Sequence, residues 1–287
     1  MTEPPLLSDF IASQVFVAFD TETTGMWAPI NRIVEIGAVK FSLKSGVVDT
    51  FQTLVNPQRN IPDDVIEVHG ITDEMVKHSP LIKPALERFM SFCGPESVLV
   101  AHNAPFDISF VGSELDRAGL EFGPNPILDT VDIYHRYFPG LASYSLLNLA
   151  RQFELAQNQE HRALGDARLV YGLVVNAAPG LGEIENAIDL KNRLTTYQME
   201  SWQGEPVTLP DDFSDLQRAM VESLRVEIDY NHPVRASATR IIRPQQVFRL
   251  GSIFYINAYC EMARGERTFR LDRILRYKIL ADQNSSR

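Results

Sequence analysis

Residues 15–25 read VFVAFDTETTG. The five apolar residues VFVAF stop abruptly at the polar DTETTG, as a buried strand does where it opens into a loop. Asp20 and Glu22 follow at i and i+2, and on a chain that stays extended both carboxylates leave the same face. Two negative charges held that close repel unless a cation lies between them, and hard cations such as Mg2+ and Mn2+ prefer oxygen ligands. Taken alone, an acidic pair of this spacing is more often an ordinary acidic loop.

The segments around it define a domain. RIVEIGAVKF (32–41) and VVDTFQTLV (47–55), joined by the turn-rich KSG, predict a meander with the first strand. A helix is expected over 80–92, with Pro80 near its start and Gly94 past its end. SVLVAH (97–102) returns as a strand, and PFDISFVGSELDRAG (105–119) again has Pro in its first turn and Gly at its last. Further helical patterns cover 145–154 and 163–177. A meander followed by alternating helix and strand indicates an α/β domain with a mixed sheet.

Two of these segments add acids. AHNAPFD (101–107) puts Asp107 in the first turn of a helix, and HRALGDA (161–167) places His161 five residues before Asp166. An imidazole titrates near neutrality, so it can take a proton from a metal-bound water. Two divalent ions roughly 3.5–4 Å apart can stabilise both the attacking and the leaving oxygen at phosphorus. By itself His161 reads more readily as a solvated loop histidine.

FDTETTG, HNAPFD and HRALGD together resemble the three motifs of the DnaQ-like, DEDDh-type 3′→5′ exonucleases, over residues 13–178. The resemblance implies an RNase H-like fold, a mixed sheet with flanking helices. It implies two divalent cations, Mg2+ or Mn2+, held by Asp20, Glu22, Asp107 and Asp166, with His161 activating the attacking water. The substrate would be nucleic acid with a free 3′ end. Single-stranded DNA is the favoured reading, an exoribonuclease or oligoribonuclease the alternative, because metal-binding residues contact the phosphate that both polymers share. A non-enzymatic, nucleic-acid-responsive regulator would fit better had a carboxylate been lost, and none is. Thr23 and Thr24 would contact the terminal nucleotide, and VHGITDEM (68–75) matches a family segment that adds His69, with Thr72 a helix cap. Asn103 and Phe106 are further substrate candidates, each as readily explained by loop structure or core packing. ILDT (127–130) and YSLLNLA (144–150) match family positions but read equally as a strand end and a helix start. Association with a polymerase follows only by family analogy.

A chain of 287 residues favours two domains over one. The N-terminus, MTEPPLLSDFIASQ, lacks a basic leader, and no apolar run reaches the ~20 residues of a spanning helix, so a cytoplasmic protein without a membrane partner is expected. Cys93 and Cys260 read as reduced core thiols. The net charge of −10 hides an asymmetry: residues 216–280 hold 12 Lys and Arg against 6 Asp and Glu, which leaves −16 for the remainder. The expected organisation is an exonuclease domain over 1–178, a Pro- and Gly-containing linker over 179–215, in part helical, and a basic domain over 216–287.

The basic segment contains four β-rich stretches, RVEIDYN, ATRIIRPQQVFRL, SIFYINAYCE and ERTFRLDRI, which predict a small β-barrel. Residues 225–274 resemble the WYL domain, an Sm/SH3-like module, with Phe254-Tyr255-Ile256 standing where that family has Trp-Tyr-Leu. The resemblance implies a nucleic-acid or ligand pocket at Tyr230, Arg240, Tyr255, Arg267 and Arg270. Guanidinium groups suit phosphate and tyrosine faces suit bases. The blander reading is a solvated basic surface with the tyrosines in the core.

Overall fold

A computed structural model describes residues 7–199, 209–231, 237–250, 253–263 and 265–280, and the chain divides into two compact units, Met1–Gln203 and Gly204–Arg287. The first unit opens with α1 (Asp9–Ser13), β1 (Phe16–Thr23), β2 (Ile33–Ser42) and β3 (Gly46–Leu54). Then come α2 (Asp63–His69), α3 (Asp73–Val76), α4 (Ile82–Cys93), β4 (Val98–Ala101) and α5 (Ala104–Ala118). It closes with β5 (Ile127–Asp129), α6 (Thr130–Tyr137), α7 (Leu146–Gln152), α8 (Ala163–Leu181) and α9 (Ala187–Arg193).

The five strands form one mixed sheet in the order β3-β2-β1-β4-β5. The meander β1, β2, β3 is antiparallel, whereas β4 runs parallel to β1 and β5 parallel to β4. This is the RNase H-like mixed sheet expected. β1 is central and covered on both faces, hence its unbroken apolar start. Phe16 and Ala18 point into one core with Phe41, Val170, Leu173 and Val174. Val17 and Phe19 point into the other with Phe89, Phe110 and Leu115. Continuing the alternation sends Asp20 and Glu22 to the α8 face and Thr21 to the α5 face.

α8 meets the sheet unusually closely. A Cβ on Gly37 of β2 would lie 2.1 Å from the backbone nitrogen of Leu164, so only glycine lets the first turn of α8 rest on this strand. The helix runs through Pro179, and Leu181, Ile184, Leu190 and Leu194 are buried in the same core as Phe16. Tyr197 then bridges Ile127 at the edge of the sheet. The stretch read as a linker from residue 179 is therefore packed against the first unit as far as Tyr197. α1, α2 and α6 are additions to the expected elements.

The second unit holds α10 (Ser214–Val221) and β6 (Val226–Tyr230), β7 (Ala238–Leu250), β8 (Ile253–Cys260), β9 (Gly265–Arg270) and β10 (Ile274–Ile279). Its sheet is antiparallel, in the order β10-β6-β7-β8-β9. The expected closed barrel is not reproduced: among the described residues β9 and β10, the two edges, are not paired. The sheet nevertheless curls, because the rings of Tyr230 on β6 and Phe269 on β9 meet edge to face at 5.1 Å although two strands separate them. Both cysteines are free and buried. Among the described residues no helix is long and apolar enough to cross a membrane.

Candidate active site

Where β1 ends, carboxylate oxygens of Asp20, Glu22 and Asp166 lie within 4.8 Å of one another. The two strand residues come from the i, i+2 spacing, and Asp166 enters from the first turn of α8, which Gly37 admits. In the β1–β2 ladder Asp20 stands opposite Gly37 and Glu22 opposite Glu35. Burial, then the charges of Asp107, Glu22 and Asp166, hold the Asp20 carboxyl well above its ordinary range. Burial, followed by Asp166 and Glu35, pushes Glu22 up to about 8. Asp166 is raised chiefly by burial and lowered in part by a hydrogen bond from Gln159 and by the charge of nearby His161.

These carboxylates fit a divalent cation. Gln159 donates to Asp166 Oδ2 at 2.6 Å, while Asp166 Oδ1 is buried without a hydrogen-bond partner. A buried acceptor left in that state costs free energy unless something electropositive meets it. Asp107 is also buried, but its Oδ1 accepts a hydrogen bond from the Thr21 hydroxyl at 2.7 Å, and it stands outside the trio of close-set carboxylates. Burial raises its carboxyl and the Thr21 hydrogen bond opposes that rise.

His161 is half-buried in the loop before α8, with a left-handed backbone, φ +49°. Its successor Arg162 is fixed firmly: Nε and Nη2 donate to Glu35 at 2.9 and 2.6 Å. Glu35 is fully buried and also accepts from Ala163 N at 3.0 Å and Gln52 Nε2 at 2.9 Å. Those four hydrogen bonds hold the Glu35 carboxyl below its ordinary range against the effect of burial. A solitary acid within the apolar run IVEIGAV (33–39) was the available signal for this residue.

Thr23 and Thr24 are buried, and their hydroxyls serve the turn: Thr23 donates to Gly25 O at 2.7 Å, and Thr24 accepts from Arg32 N at 3.1 Å. His69 is buried behind them, its Nδ1 accepting from Ile71 N at 2.9 Å, which leaves Nε2 to donate to Thr23 O at 3.3 Å. Asn103 is exposed and left-handed, φ +58°. Its backbone N–H, with those of Ala104 and Val131, is received by the buried Asp129 at 2.8–3.0 Å. Asp129 thus caps α5 and α6 together and holds the turn that presents Asp107. Phe106 is half-buried with its ring 4.9 Å from that of Phe110.

In the second unit the five pocket candidates separate. Tyr255 and Arg270 are register partners on β8 and β9, and the Tyr230 hydroxyl accepts from Arg270 N at 3.3 Å, so these three share one region. Arg270 also forms an ion pair with Asp272 at 2.7 Å. Arg240 pairs in register with Ile228, and Arg267 with Ala258. Strand alternation therefore places those two arginines, together with Tyr230, on the sheet face of buried Ile228 and Ala258, which Tyr255 does not share.

A model of the exonuclease family matches residues 17–174, and a WYL-domain model matches residues 211–279. DNA polymerase III subunit epsilon of Treponema pallidum is 44% identical over 156 residues, 54% of this chain and 72% of the relative. DNA polymerase III PolC-type of Caldanaerobacter subterraneus subsp. tengcongensis is 41% identical over 169 residues, 59% of this chain. This chain spans only 12% of that relative's length. The nuclease domain of 3′hExo, a DEDDh family member bound to rAMP, superposes with a TM-score of 0.55 at 16% identity, covering 61% of this chain and 96% of that one. That last likeness is one of fold.

Proposed function

The chain belongs to the exonuclease family, whose model spans more than half of its length, and from that premise we propose a cytoplasmic, metal-dependent 3′→5′ exonuclease that favours single-stranded DNA. The observation that carries the reading is the trio Asp20, Glu22 and Asp166, with the unpartnered Asp166 Oδ1 among them. Asp20, Glu22, Asp166 and, from the other face of the sheet, Asp107 would hold two divalent cations, Mg2+ or Mn2+. Bound there, such ions supply Lewis-acid stabilisation of the charge that develops at phosphorus. His161 takes the proton of the attacking water. Asn103 and Phe106, at the mouth of the Asp107 turn, meet the terminal nucleotide, while Thr23, Thr24 and His69 hold the loop that borders it. DNA is favoured because the two relatives described above, at 41% and 44% identity, are DNA polymerase III chains. Association with a polymerase comes to this chain from the same relatives, and co-purification would test it.

For the second unit we propose that its curled, WYL-type antiparallel sheet binds the nucleic-acid strand through its basic surface. The curl joining Tyr230 to Phe269 and the cluster of Tyr230, Tyr255 and Arg270 support this. Removing residues 216–287 then weakens strand binding and flattens its salt dependence, while hydrolysis of a mononucleotide ester continues. Unchanged affinity would turn the unit into a partner surface.

The test of the catalytic reading is direct. A 5′-labelled single-stranded oligodeoxynucleotide incubated with Mg2+ should give a ladder shortened from its 3′ end, and Asp20→Ala should abolish it. Identical ladders from the two proteins would falsify the site. Matched RNA and DNA oligomers in competition decide the polymer.

A further inference from the structure

Glu35 and Arg162 are not among the four motif acids or the motif histidine, yet they join the strand beside the acid cluster to the loop that carries His161. Glu35 faces Glu22 across the β1–β2 ladder and is fully buried. Its two oxygens take both prongs of the Arg162 guanidinium and the N–H of Ala163, the first residue of α8. Two positions along the same face of β2, Gly37 leaves room for the backbone of Ala163 and Leu164 and stands opposite Asp20. β2 therefore offers a seat with two parts, a gap that admits the helix and an acid that caps it. His161 precedes Ala163 by two positions and Asp166 follows it by three.

We propose that Glu35 and Arg162 are a positioning pair: by seating the first turn of α8 on β2, they set where Asp166 and His161 stand relative to Asp20 and Glu22. The proposal rests on the exonuclease reading of that cluster. Arg162 is suited to the task because its planar fork fixes direction as well as distance, which a lysine does not. Glu35 does not touch the substrate; it acts through α8 and the loop ahead of it.

A plain electrostatic role predicts something different, because the two single substitutions change the charge beside the cluster in opposite senses. Glu35→Gln leaves a guanidinium uncompensated, and Arg162→Gln leaves a carboxylate uncompensated. If charge alone mattered, the first would weaken cation binding and the second would tighten it. If position matters, both weaken it.

The experiment uses the full chain as wild type, Asp20→Ala, Glu35→Gln, Arg162→Gln and Arg162→Lys. Mn2+ affinity is measured by titration calorimetry without nucleic acid, and kcat and KM on the p-nitrophenyl ester of thymidine 5′-monophosphate. An ångström of misplacement can cost on the order of 100-fold, so Glu35→Gln and Arg162→Gln should each lower kcat by about 100-fold. KM should stay within about threefold and Mn2+ binding should weaken by about tenfold in both, on the same reasoning. Arg162→Lys should not rescue kcat. Should either single variant melt without cooperativity, the double variant Glu35→Gln/Arg162→Gln replaces it, since it buries no unpaired charge, and it should lose no more kcat than a single variant. Wild-type kcat in the folded variants, or opposite shifts in Mn2+ affinity, overturns the proposal. If wild type and Asp20→Ala behave alike on the ester, the exonuclease reading fails instead, and the Mn2+ affinities still decide the positioning role.

Discussion

Thr21 donates its hydroxyl to Asp107 across 2.7 Å, tying β1 to a helix residue 86 positions later in the chain. Thr21 points to the α5 face, opposite to its neighbours Asp20 and Glu22. The candidate site thus draws on both layers that cover the sheet, and the Thr21 hydroxyl fixes the α5 contribution.

Thr21→Val keeps the shape of the side chain and removes the donor, leaving a buried carboxylate short of a partner. The expected loss is about 1–3 kcal/mol of stability in urea unfolding. A fall in kcat of about tenfold should accompany it as Asp107 shifts. Thr21→Ser should recover both. Wild-type kinetics in the valine variant would remove Thr21 from any positioning role.

Metal-free protein should become less stable as pH rises. Glu22 is pushed up to about 8 from 4.5, and Asp20 is raised in the same sense. Between those values the folded state binds more protons than the unfolded one, so stability is highest in the acid part of the range and is lost as pH climbs towards 8. In chelator, the melting temperature should fall between about pH 5 and pH 8. The gain given by millimolar Mn2+ should grow over the same range, because ion binding and carboxylate ionisation favour each other. Asp20→Asn should melt higher than wild type at pH 8 in chelator while losing hydrolysis. A Mn2+ gain independent of pH contradicts this account.

Asp129→Ala removes the acceptor of three backbone N–H groups at the starts of α5 and α6. Each unsatisfied helix start costs about 1–2 kcal/mol, so denaturant midpoints should drop well beyond the effect of a surface substitution. Activity should fall as well, through relaxation of the left-handed Asn103 and displacement of Asp107. An unchanged midpoint would show that water replaces the carboxylate without penalty.

Burial raises the Cys93 thiol to about 12. With so little thiolate present, the folded protein should leave Cys93 unmodified by a thiol reagent at pH 8, and modification should appear only under unfolding conditions. Rapid labelling of Cys93 in native protein, located by mass spectrometry, would count against the packing of α4 on the sheet.

The local parts of this design were legible in the sequence. The apolar run VFVAF located β1, although the strand runs on through the polar residues to Thr23 because β2 pairs with them, and the Pro and Gly brackets located α5. What escaped depends on contacts between distant segments. Glu35 reads as one polar position in a strand until its partner, 127 positions away, is in place. Asp129 was visible within ILDT as a strand end, but its service to α5 requires residues 103 and 104 to lie beside it. The packing of residues 179–197 was hidden by a composition rich in Pro and Gly, although Leu181, Ile184, Leu190 and Leu194 supply a buried stripe. The WYL-type residues separated because strand alternation, unlike a motif, assigns each residue to a face.

The first unit has one core on the α8 side of its sheet and another on the α5 side. Asp166 belongs to the first layer, Asp107 to the second, and Asp20 stands on β1, in the sheet between them. A cation held by all three would act as a rivet through the sheet. Amide hydrogen exchange in α5 and α8 should then report separate openings in chelator and a single, slower, concerted opening with Mn2+, so that the reacting centre also governs which parts of the domain breathe together.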